Sequence, residues 1–238
     1  MIHIQAEDSI LKLTMHSPRG NMLDGDDIAC LLEQTERAAS AENIKGVLLT
    51  GSGSSFAAGL NLQSVGNREE DIEDFFHAFE VLLYRLFTLP KPVVAAVNGH
   101  SIGGGLLLQC CADWICISDS PKIKIGLPEV NLGLTVDGFM WSLLKHCVVS
   151  NKKLDAMLLS GEYLNTAQVL QTGFVDAIGN PESLLTQAEK QAHALVGKPA
   201  EAFAITKKCT RAFTGRRLLA ALEEKSYRIF TALLLKKN

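Results

Sequence analysis

Residues 92–113, PVVAAVNGHSIGGGLLLQCCAD, constrain this chain more than any other stretch. The run Val93–Val97 is β-branched and alanine-rich, which predicts a short buried strand. Asn98-Gly99 breaks the run, Gly103, Gly104 and Gly105 follow, and residues 106–112 have the apolar content of a helix. A strand that feeds a helix through glycines leaves backbone N–H groups unpaired at the helix start, with the positive end of the helix dipole behind them. Such a turn suits an anion, or a carbonyl oxygen that gathers negative charge during a reaction.

The surrounding pattern is α/β. Strands are predicted at 2–5, 10–15, 47–50, 93–97, 114–118 and 122–125, and helices at 24–39 and 69–86. The repeated order of strand, loop, helix and strand implies parallel pairing with right-handed crossovers. From Gly138 onward the periodicity becomes helical, over 139–147, 152–159, 166–171, 181–196 and 199–235, the last broken near Gly215. The division is therefore an α/β core over 1–195 and a C-terminal helical region over 196–238.

Composition narrows the function classes. The 238 residues are 47% hydrophobic with a net charge of −3, and no basic run or arginine stripe is present, so nucleic acid is not the expected partner. Six cysteines occur without a C-x-x-C pair, so all six are read as reduced, in a reducing cytoplasmic compartment, and no metal site is expected. The N-terminus lacks the pattern of a secretory signal, no apolar run is long enough for a membrane span, and Lys236-Lys237-Asn238 match no targeting signal.

A second loop shares the physics of the first. Gly51-Ser52-Gly53-Ser54-Ser55-Phe56-Ala57-Ala58-Gly59-Leu60-Asn61-Leu62 also follows a buried strand and offers small residues where a ligand could approach backbone. An N–H from Ala58 and one from Gly104, converging on one carbonyl oxygen, would make an oxyanion hole. Each loop alone could equally be an ordinary tight turn.

Together the two loops resemble the crotonase (enoyl-CoA hydratase/isomerase) superfamily. The resemblance continues through Ala112-Asp113, Ile125-Gly126-Leu127-Pro128-Glu129, Leu132-Gly133-Leu134 and Gly173-Phe174-Val175-Asp176, covering nearly the whole chain. It implies a spiral of β-β-α units with a C-terminal helical trimerisation region, a homotrimer or dimer of trimers, and an acyl-CoA thioester substrate with coenzyme A as its only cofactor-like part. It also implies oxyanion-hole donors at Ala58 and Gly104, and substrate-binding positions at Ala57, Gly59, Asn61, Leu62, Gly103, Leu107 and Pro128. Asn61 stands where the family often has Asp.

Hydratases of this family use two glutamates. The second is present as Glu129, but the first falls at Leu107. Hydration needs one group to activate water and another to manage the proton, whereas a double-bond shift needs one carboxylate to remove a proton and return it elsewhere. Family isomerases place that carboxylate at the position of Glu129 or of Asp137, and dienoyl-CoA isomerases carry both, with a further Asp where Leu107 stands. The expected activity is therefore a 3-enoyl-CoA to 2-enoyl-CoA isomerase, or its dienoyl counterpart, with Glu129 and Asp137 as catalytic acids. Read from the residues alone, Glu129 is a surface-loop acid and Asp137 a helix N-cap.

Other readings stay open. Gly99-His100-Ser101-Ile102-Gly103 fits a nucleophile elbow, with Asp113 or Asp176 and His193 as partners of a Ser101 hydrolase. The Gly-His-x-Ile-Gly-Gly-Gly run is also found in polyketide-tailoring decarboxylases of the superfamily, and a hydratase or a non-catalytic CoA-binding homologue would fit the loops. Lys207, Lys208, Arg211, Arg216 and Arg217 form a cationic cluster that could meet CoA phosphates or simply face solvent. The chain ends where many members continue with a helix over the acyl site, leaving that cover to be found elsewhere.

Overall fold

The structure is a computed structural model that describes residues 1–236; the terminal Lys237 and Asn238 lie outside it. The strands are β1 (Ile2–Glu7), β2 (Ile10–Met15), β3 (Gly46–Gly51), β4 (Ser55–Ala57), β5 (Val93–Val97), β6 (His100–Ile102), β7 (Trp114–Ser118), β8 (Ile125–Gly126) and β9 (Ala177–Gly179). The helices are α1 (Gly25–Ser40), α2 (Glu69–Thr88), α3 (Gly104–Gln109), α4 (Gly138–Cys147), α5 (Asn151–Ser160), α6 (Thr166–Thr172), α7 (Leu184–Val196), α8 (Ala200–Glu223) and α9 (Arg228–Leu235).

Two sheets share the strands. The larger runs β1-β2-β3-β5-β7-β9, antiparallel only between β1 and β2, and the smaller is the parallel β4-β6-β8. The chain visits them alternately: β3 then β4 before α2, β5 then β6 before α3, β7 then β8 before α4. This is the expected spiral of β-β-α units. The continuous apolar run of β5 reflects burial on both faces. Val93, Ala95 and Val97 join the main core with α2 and α3, while Val94 and Ala96 meet Leu184, Ala188 and Ala192 of α7.

Several predicted boundaries differ. Of the strand predicted at 122–125 only Ile125 pairs in a sheet, together with Gly126 just beyond it, and the short strands β4, β6 and β9 carry too few residues to show a period. The helix predicted to break at Gly215 runs through it, and the chain turns instead at Lys225, whose φ is 53°. Gly215 is buried against Thr88 of α2, so packing outweighs its roughly 1 kcal/mol helix penalty.

The cationic cluster is divided by burial. Lys207 and Arg211 are buried and both pair with Asp113, at 2.6 and 2.7 Å. Arg211 also donates to the carbonyls of Phe87, Cys111 and Ala112, which binds α8 to the ends of α2 and α3. These two cations are therefore internal ties and do not present themselves to CoA phosphates, while Lys208 and Arg216 are exposed. Among the described residues, no helix is long and apolar enough to cross a membrane, and no three His, Cys, Asp or Glu side chains converge as a metal site.

Candidate active site

The small sheet assembles the site. Its parallel strands end side by side, so the residues after β4 (Ala58, Gly59, Leu60), after β6 (Gly103, Gly104) and after β8 (Leu127, Pro128, Glu129) meet at one edge. This is the carboxyl-end placement usual for ligand sites in parallel sheets. A cavity of about 200 Å³ opens there, lined by Ala58, Gly59, Leu60, Leu62, Gly103, Gly104, Leu107, Pro128 and Glu129, and walled by Phe76 and Phe79 of α2, Met140 of α4 and Phe230 of α9. Ala57 is buried beneath this lining, and Asn61 stands just outside it.

Glycine is required where the loops cross. Gly103 has φ 56° and ψ −124°, a region open to little but glycine, and a Cβ there would lie 3.3 Å from Glu129 Oε1. At Gly105 a Cβ would strike the carbonyl of Ala57, so α3 can lie directly on β4 only without a side chain at that position.

The amides divide differently from expectation. The N–H of Ala58 donates to Gly20 O at 2.9 Å, so the donor expected there is already used. Two positions on, Leu23 N–H donates to Gly59 O and Asn61 N–H to Leu23 O, which brackets Leu60 and leaves its own N–H without an acceptor among the described residues. Gly104, the first residue of α3, likewise has no acceptor for its N–H. The open pair of amides in the cavity is thus Leu60 and Gly104. The spacing of the motif alone could not separate position 58 from position 60, because the difference lies in the loop at Gly20.

Glu129 is 9% exposed, and its Oε2 has no hydrogen-bond partner. Burial pushes its carboxyl up to about 7, against a smaller opposing pull from its own backbone N–H. Such a group can both accept and release a proton near neutrality. It is the only carboxylate among the described residues that lines the cavity, because Leu107 faces it from α3 as part of the core.

Asp137 lies outside the cavity lining. Its Oδ1 caps α4 by accepting from Met140 N–H at 2.8 Å, its Oδ2 has no donor, and its ionisable neighbour is a carboxyl that sequence reasoning missed, that of Glu80 on α2. The signal was present: Glu80 falls on the same helical face as Phe76, Phe79 and Leu83.

The hydrolase reading fails on geometry. The Ser101 hydroxyl is fully buried with no hydrogen-bond partner, Asp113 is held by Lys207 and Arg211, and Asp176 accepts from Ile115 N–H. His193 lines a separate cavity with Lys12 and Glu189. His100 sits on β6, where its Nδ1 accepts from Lys124 N–H.

The helix α9 closes one side of the cavity. Phe230 meets Phe76 edge-on at 4.7 Å, and Arg228 pairs with Glu73 of α2. Leu234 reaches a neighbouring cavity of about 240 Å³ that shares Leu62 and Phe76 with the first.

Comparison with known proteins agrees with this architecture. The family model described as Enoyl-CoA hydratase/isomerase matches residues 5–237. A carnitinyl-CoA dehydratase of Salmonella arizonae is 31% identical over 204 residues, 85% of this chain and 77% of that protein. The apo structure of an enoyl-CoA isomerase of Mycobacterium tuberculosis is 25% identical with a TM-score of 0.86, covering 94% of this chain and 96% of that one. The human mitochondrial delta3-delta2-enoyl-CoA isomerase, at 23% identity, shares the fold with a TM-score of 0.90, over 98% and 91% of the two chains.

Proposed function

The chain belongs to the enoyl-CoA hydratase/isomerase family, and we propose that within it the protein is a double-bond isomerase that converts 3-enoyl-CoA to 2-enoyl-CoA. The observation that supports this reading is the single carboxylate in an otherwise apolar cavity, with Glu129 present and Leu107 in place of a second acid.

In the proposed reaction the thioester oxygen lies between the N–H groups of Leu60 and Gly104. Glu129 removes a proton from C2, and the charge moves onto the thioester oxygen, where the two amides stabilise it. One such donor lowers the barrier by about 3 kcal/mol. Glu129 then returns the proton at C4, so the double bond moves into conjugation and no atom is gained or lost. Phe76, Phe79, Leu107, Met140 and Phe230 keep water from the enolate. Asp137 lies outside the cavity lining, so the route is assigned to Glu129.

A dehydratase is the second reading, favoured by the name of the Salmonella relative. Incubation of the purified protein with 3-enoyl-CoA, 3,5-dienoyl-CoA and 2-enoyl-CoA, followed by absorbance and mass, separates the two. Conjugation at constant mass is the expected result. Addition of water to 2-enoyl-CoA would overturn the isomerase assignment. We also propose self-association through α8, which exposes Ile205, Phe213 and Leu219; sedimentation of the full chain tests it, and a monomer at micromolar concentration would contradict it.

A further inference from the structure

Glu80 is 2% exposed, and neither of its oxygens has a hydrogen-bond donor among the described residues. Asp137 is 4% exposed, with Oδ1 committed to Met140 N–H and Oδ2 lacking a donor. The two carboxyl groups face each other closely enough across the gap between α2 and α4 that, with burial, the charge of Asp137 helps to raise the Glu80 carboxyl, and three of their four oxygens are buried without a donor. Two carboxylates cannot both ionise in such surroundings, because each would lose hydration and face a like charge. One shared proton removes both penalties: the O–H of one acid donates to the oxygen of the other, a short charge-assisted bond.

The pair sits immediately behind the acyl cavity. Glu80 follows Phe79, whose side chain lines the cavity from α2, and Asp137 holds the N–H of Met140, which lines it from α4. We propose that Glu80 is a positioning residue for the acyl-CoA site: kept as a neutral acid, it donates its proton to Asp137 Oδ2 and so fixes the separation of the two helices that wall the cavity. The part of this inference that concerns substrate rests on the acyl-CoA reading above; the shared proton does not.

Burial and the charge of Asp137 together raise the Glu80 carboxyl to about 10, so the pair keeps its proton through neutrality. Asp137 of α4 is the ionisable group acting on Glu80, and Tyr227, at the turn into α9, is in turn pushed up in part by Glu80. Loss of the proton at alkaline pH would set α2 and α4 in repulsion and loosen the cavity walls. Replacement by glutamine keeps an N–H donor toward Asp137 and removes the titration.

Two measurements test this. Infrared spectra at pH 8.5, where Glu129 is mostly ionised, read the proton directly. A buried protonated-carboxyl band is expected in the wild type and in Glu129→Gln, and none in Glu80→Gln. Absence of the band in the wild type, or its persistence in Glu80→Gln, would overturn the proposal whether or not the protein is an isomerase. Calorimetry with a saturated acyl-CoA then reads the walls without turnover. Affinity is expected to weaken about twofold between pH 7 and pH 10 in the wild type, the most that a group titrating at about 10 allows there, and to stay level in Glu80→Gln. An equal loss of affinity in both proteins would overturn the positioning role and leave the isomerase assignment intact.

Discussion

Gly103 shows how much of the site depends on the absence of a single carbon. Its backbone lies where side chains are strained by about 1–3 kcal/mol, and a Cβ would press on Glu129 Oε1 at 3.3 Å. Gly103→Ala should therefore lower the melting temperature and also displace Glu129 from the open amide of Gly104. We expect isomerisation to fall at least tenfold in kcat/KM, with most of the loss in kcat; a variant of normal activity would show that Glu129 is not held against this turn. The same neighbourhood marks the limit of sequence reasoning at the residue scale. Gly103, Gly104 and Glu129 are legible because their motifs are local, whereas the exchange of Ala58 for Leu60 as the open donor depends on a carbonyl at Gly20, remote in sequence. Glu80 was hidden for a related reason, since its partner Asp137 arrives from another helix.

The elements are held by few but strong ties. Asp113 receives Lys207 and Arg211 and also accepts from Val93 N–H, joining α8 to the start of β5 and the turn after α3. Lys207 is held down to about 8 by burial, which outweighs the upward pull of Asp113. Asp113→Asn would leave two buried cations without their counter-charge, at a cost of about 3–5 kcal/mol; denaturant unfolding checks this, and a loss below about 1 kcal/mol would mean that the carbonyls of Phe87, Cys111 and Ala112 suffice for Arg211. At the other end, α9 covers the acyl cavity through Phe230. Phe230→Ala should cost up to about 3 kcal/mol and weaken binding of longer acyl chains more than short ones, which competition between acyl-CoAs of graded length measures. Unchanged chain-length preference would mean that α9 is packing only. Most helices were legible from their 3.6-residue period, but the three short strands β4, β6 and β9 were not, because pairing with neighbours creates them rather than any pattern of their own.

For the whole molecule, the buried acids tie stability to pH. Glu129 and Glu80 both have carboxyls raised above their ordinary values, to about 7 and about 10. At these two acids the folded state therefore binds more protons than the unfolded chain above the ordinary carboxylate range, a contribution to stability that falls as pH rises. Lys207, held down to about 8, acts with the opposite sign above that pH. Glu129 contributes fully below about pH 4.5 and loses its contribution by about pH 7; Glu80 continues the decline toward pH 10. Thermal unfolding of the wild type should show this slope most clearly between about pH 4.5 and 7, and Glu129→Gln with Glu80→Gln should flatten it. A slope unchanged in the double variant would place the titrating groups elsewhere. The overall spiral was legible from the order of strands, glycine loops and helices together with the paired motifs, because each turn of the spiral repeats the same local grammar.

In the proposed reaction Glu129 alone carries the proton beside the amides of Leu60 and Gly104. The measurement that tests it most directly is kcat/KM for 3-enoyl-CoA isomerisation against pH, in the wild type and in Glu129→Gln. The wild-type rate should climb with pH and level off above about 7, as the base loses its proton in the folded protein. Glu129→Gln should lose roughly 10²–10⁴-fold at every pH, with binding of a saturated acyl-CoA retained. A Glu129→Gln enzyme of near-normal rate, or one with the wild-type pH profile, would contradict the account.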